Sequence, residues 1–129
     1  MSENAVGVVL LTTLPEAHAM LIQSLRNRSV PVSVTRGGRQ AQRLLRARPR
    51  VVVIDLVNRP ALDRASIAGM NAARSSGRVV ALHEGDLGSF PGELDDLVVD
   101  AFSRIGEWVP IVELALEGKP AVATARRRG

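Results

Sequence analysis

Two short aliphatic runs, Val6 to Leu11 and Val51 to Leu56, constrain this chain more than any other feature. Each is too short for a buried helix. Neither alternates with polar residues, and that is the pattern of a strand covered on both faces, as at the centre of a parallel sheet. Val79 to Leu82 and Leu97 to Val99 are shorter versions. Val30 to Thr35 does alternate, with Val30, Val32 and Val34 against Pro31, Ser33 and Thr35, and a proline near the start suits an edge strand. Five strands are therefore expected.

The segments between them carry helical periodicity. Pro15 to Arg28 opens on a residue suited to a first turn and brings Ala17, Met20, Leu21 and Leu25 to one face. Gly38 to Arg48 turns Ala41, Leu44 and Leu45 inward and Arg39, Arg43 and Arg46 outward. Leu62 to Arg74 predicts a third helix with Leu62, Ile67 and Met70 among its apolar positions, and Glu107 to Glu117 a last one with Trp108, Ile111, Val112 and Ala115. Between Gly85 and Asp96 the breakers Gly88, Pro91 and Gly92 limit any helix to a short or irregular piece.

Strands alternating with helices predict a doubly wound α/β domain, a five-stranded parallel sheet in the flavodoxin-like order 2-1-3-4-5. Such sheets place their sites at the carboxyl ends of the central strands, here Thr12, Thr13, Asp55 and His83. Composition narrows the chemistry. With 46% hydrophobic residues but one Trp, two Phe and no Tyr, the core is aliphatic and base stacking has no platform. The absence of cysteine excludes disulfides, thiolate metal sites and cysteine nucleophiles. The two histidines, His18 and His83, form no metal constellation with it, and no glycine-rich phosphate loop occurs. No basic leader and no apolar stretch of about 20 residues is found, so a soluble cytoplasmic protein is expected.

Over Val6 to Gly118 the sequence resembles the receiver domains of two-component signalling. Segment order and lengths match, and Asp55 in VVVIDL stands where that family carries its phosphate-accepting aspartate. The resemblance implies an acidic pair after the first strand, a hydroxyl after the fourth and a Lys-Pro after the fifth. In this sequence those positions fall on Thr12 and Thr13, on His83, and on Asp100 with Ala101, while the family's aromatic switch falls on Leu97 and its proline one position before Pro60. Hydroxyls do not supply the charge that draws a hard divalent cation, and an acid in place of the lysine repels phosphate. Asp55 then reads as vestigial, an exposed carboxylate at a strand end that pairs with an arginine or accepts backbone hydrogen bonds.

The expectation is a degenerate receiver, not an enzyme and without a cofactor or metal, acting through a protein partner or a second copy of itself. A phospho-accepting receiver using Asp55 with Glu16 and Glu84, and a small-ligand domain using the crevice at Thr12, Thr13, Asp55 and His83, are the alternatives. The formal net charge of +4 includes Arg126, Arg127 and Arg128, so the body of the domain has little attraction for nucleic acid. The stripe of Arg39, Arg43 and Arg46 is the candidate contact face, or else a solvated helix surface. Residues 1–118 are expected to form the receiver-like domain and residues 119–129 a basic tail or linker.

Overall fold

The computed structural model describes residues 7–74, 77–84, 97–104, 106–107 and 110–113. The expected fourth helix over Gly85 to Asp96, Trp108, the last helix beyond residue 113 and the basic tail lie outside them. Five strands, β1 (Val8–Leu11), β2 (Val32–Thr35), β3 (Val51–Asp55), β4 (Arg78–His83) and β5 (Ala101–Arg104), form one all-parallel sheet in the order β2-β1-β3-β4-β5. With helices between the strands, this is a flavodoxin-like arrangement. A 3-10 turn (Pro15–His18) leads into α1 (Ala19–Asn27), and α2 (Gly38–Arg46) and α3 (Arg64–Ala73) make the next two crossovers.

Alternate residues of the central strands feed two cores. Val8, Leu10, Val51, Val53, Val80 and Leu82 face α1, which contributes Leu21 and Leu25, and also Ile111 and Val112 of the helical residues 110–113. Val9, Leu11, Val52, Ile54, Val79 and Ala81 face the other way, onto Ala41 and Leu45 of α2 and Ile67, Met70 and Ala73 of α3. Both faces of β1 and β3 are thus sealed, which is why these strands are apolar at every position. Truncating a fully buried side chain there, such as Ile54 to alanine, costs about 2–5 kcal/mol.

Two expectations are corrected. The fifth strand is Ala101–Arg104, not Leu97 to Val99. Leu97 is buried in the second core, but it belongs to the segment approaching the strand, where the Val98 N–H donates to Asn71 Oδ1 at 2.8 Å. The inward face of the first helical segment is His18, Leu21 and Leu25; Ala17 is exposed and Met20 is 68% exposed.

Candidate functional site

The carboxyl ends of β1 and β3 bring Thr12 and Asp55 together, as expected. Asp55 is the last residue of β3 and is fully buried, not exposed as the sequence suggested. Its Oδ1 accepts the N–H groups of Val57, at 2.8 Å, and Asn58, at 2.9 Å, in the turn that follows. Its Oδ2 takes the Thr12 hydroxyl at 2.9 Å, His18 Nε2 at 2.6 Å and the Asn58 side-chain amide at 3.2 Å. Five donors meet a carboxylate with about four lone-pair sites. Burial alone would push the carboxyl up, but the hydrogen bonds from His18, Asn58, Thr12 and Val57 outweigh it and hold Asp55 well below the usual carboxylate range. Of the two alternatives expected, an arginine partner or backbone hydrogen bonds, the backbone bonds are present and the ring of His18 stands where an arginine was envisaged.

Local structure explains how these donors arrive. Pro15 starts the 3-10 turn that swings His18 under the sheet edge, where it is 5% exposed. The Thr12 hydroxyl, while donating to Asp55, accepts the Leu14 N–H at 3.0 Å and so shapes the loop after β1. That loop is tied to the one after β3 by the Thr13 N–H donating to the Asn58 carbonyl at 3.1 Å. Thr13 itself is exposed.

His83 ends β4 and is half-buried, paired in register with Arg104 at the end of β5. Asp100 is not at this end of the sheet. It precedes β5 at the opposite edge, where its N–H donates to the Val79 carbonyl at 2.8 Å and its Oδ2 accepts the Val79 N–H at 2.8 Å. Arg74 clasps the same carboxylate through Nε and Nη2, the latter at 2.6 Å. The residue at the carboxyl end of the fifth strand is therefore the cation Arg104, and the reversal of charge inferred for that corner does not hold. Arg39, Arg43 and Arg46 are all exposed on α2, away from the Asp55 cluster.

His18, Asn58 and Arg104 were missed by sequence reasoning. For His18 a signal existed: with Leu21 and Leu25 it makes an i, i+3, i+7 series, the helix face that packs inward. Among the described residues no three His, Asp or Glu side chains converge to hold a metal ion, Glu16 and Glu84 included. Nor is any helix among them long and apolar enough to cross a membrane. No family model, curated protein or solved structure matches the chain. What is defined is the fold class and a buried, fully hydrogen-bonded aspartate at its carboxyl edge.

Proposed function

We propose that this chain is a non-catalytic signalling module, a receiver-like domain that works by binding a protein partner without accepting phosphate. The saturation of Asp55 carries this reading. A phospho-accepting carboxylate must offer a free oxygen to the incoming phosphorus, and both oxygens here are buried and held by five donors. Phosphoryl transfer also relies on positive charge around the phosphate oxygens. Thr12 and Thr13 supply no carboxylates for a divalent metal. Arg104 favours the phospho-accepting alternative, but one exposed cation does not free an oxygen of Asp55.

The same edge of the sheet offers a surface for contact. Leu14 is 43% exposed in the loop after β1 and Val57 is 41% exposed in the loop after β3, two loops joined by the Thr13 to Asn58 hydrogen bond. Exposed apolar residues on a site-bearing edge suit a protein partner. A second copy of the chain is the simplest one.

Incubation with acetyl phosphate and Mg²⁺, followed by intact-mass measurement, tests the first half: no phosphoryl adduct is expected. An adduct that disappears in Asp55→Asn overturns the reading. Light scattering of the wild type and of Leu14→Ser/Val57→Ser tests self-association through this edge, and an unchanged dimer in the variant rules that edge out.

A further inference from the structure

Charge is segregated along this chain. Residues 17–54, which run from the 3-10 turn through α1, β2 and α2 into β3, hold eight arginines and no acidic residue. Residues 84–117, from the end of β4 through β5, hold nine acidic residues and one basic one, Arg104. In the fold β2 and β5 are the opposite edges of the sheet. At the usual spacing of neighbouring strands those edges lie about 19 Å apart. Salt screens charges over about 8–10 Å at physiological strength, so the two edges do not neutralise each other within one molecule.

Each edge carries exposed side chains. Arg39, Arg43 and Arg46 share the outer face of α2, whose Ala41 and Leu45 turn inward on the β1–β2 side of the sheet. Glu84 lies just past β4, Glu107 just past β5 and Glu113 in the helical residues 110–113. None of the six forms an ion pair with another described residue.

We infer that the chain associates head to tail with copies of itself, the arginine face of α2 in one copy docking on the acidic β5 side of the next. Charge complementarity identifies the occupant. Arginines at i, i+4 and i+7 form one continuous cationic stripe, and their planar forks match carboxylates. The chain presents carboxylates of its own, on the side away from the stripe, and opposed potentials of this kind steer and orient association. Since the two surfaces lie on different sides of the molecule, one contact leaves a surface of each kind unused at the ends, which is the heterologous arrangement of rings and filaments. The contact goes beyond the partner-binding reading, since it uses neither Asp55 nor the edge at Leu14 and Val57.

The test is sedimentation velocity of the whole chain at about 20 mM and about 500 mM NaCl, with two neutralised variants, Arg39→Gln/Arg43→Gln/Arg46→Gln and Glu84→Gln/Glu107→Gln/Glu113→Gln. All six positions are exposed, so the variants should keep the wild-type circular dichroism. The wild type is expected to associate at low salt and to bind its own copies about tenfold or more weakly at high salt. Each variant alone should sediment as a monomer. Mixed in equal amounts, the two should form a one-to-one dimer and nothing larger, because each retains the surface that the other has lost. The inference is overturned if the wild type is monomeric at low salt, including the case in which it binds a labelled oligonucleotide through the arginine face instead. It is equally overturned if either variant associates as the wild type does, or if the mixture stays monomeric. Association that persists unchanged at high salt would assign the contact to the apolar edge at Leu14 and Val57 and also overturn it.

Discussion

His18 Nε2 lies 2.6 Å from Asp55 Oδ2, and the two side chains are only 3% and 0% exposed. A buried pair of this kind is costly to break from one side, because the remaining group keeps its desolvation without its partner. Asp55→Ala, which also strands Thr12 and the Val57 and Asn58 N–H groups, is expected to cost about 3–5 kcal/mol in urea unfolding at neutral pH. Asp55→Asn should cost less, since its carbonyl oxygen can still accept the two backbone donors.

The same carboxylate gives a pH dependence. Its folded value lies below that of the unfolded chain, near 3.9, so the unfolded state binds the proton more readily. Its stabilising contribution is therefore complete above the unfolded value and is lost as pH falls through about 4 toward the folded one. Unfolding free energy measured from pH 6 to pH 2 should decline more steeply in the wild type than in Asp55→Asn. Parallel curves would show that Asp55 is not the group responsible.

At the other end of the sheet, Asp100 is held by Arg74 and by a backbone exchange with Val79. The two halves of that arrangement differ in worth. The Arg74 side chain is 37% exposed, so its loss in Arg74→Ala should cost less than about 1 kcal/mol. Asp100→Ala removes an acceptor from the Val79 N–H as well and should cost about 2–3 kcal/mol. Equal losses would mean that the ion pair, not the backbone bond, secures this corner.

Gly37 joins the loop after β2 to the loop after β3 through a single bridge to Ala61. Its φ is +114°, and a Cβ there would fall 2.1 Å from the Ala61 carbonyl oxygen. Gly38, at φ +66°, has nothing within 4 Å of its own hypothetical Cβ. Gly37→Ala should therefore lower Tm further than Gly38→Ala, with a cost above about 1 kcal/mol. A larger loss from Gly38→Ala would show that strain alone, without the contact, governs this segment.

What the sequence made legible followed burial. β1 and β3 are sealed on both faces, so their apolar character is continuous and their place at the sheet centre could be read directly. β5 was displaced by one segment because an edge strand needs little apolar character: Ala101–Arg104 buries only Ala101 fully, while Leu97, outside the strand, is the residue that enters the core. That shift carried Asp100 to the wrong end of the sheet. Asp55 was legible as a strand-end acid, but its saturation was not, since the donors come from three separate segments and His18 lies 37 residues away in sequence. A histidine among leucines on a helix face gives no indication of which buried acid it will meet.

The arginine stripe on α2 can be tested through helix electrostatics. Arg39 lies in the first turn, where the helix has no acidic residue and where the partial positive charge of its amino end disfavours a cation. Arg43, four residues on, adds a like charge on the same face. Arg39→Glu should reverse both effects and stabilise the fold by about 0.5–1 kcal/mol. Arg46→Glu, in the last turn, should do the opposite, because the cation there favours the carboxyl end of the helix. Opposite signs in thermal unfolding would establish that Arg39 is held at a cost to stability, as befits a contact residue. A loss from both substitutions would instead assign the whole stripe to folding and leave the edge at Leu14 and Val57 as the one contact face proposed.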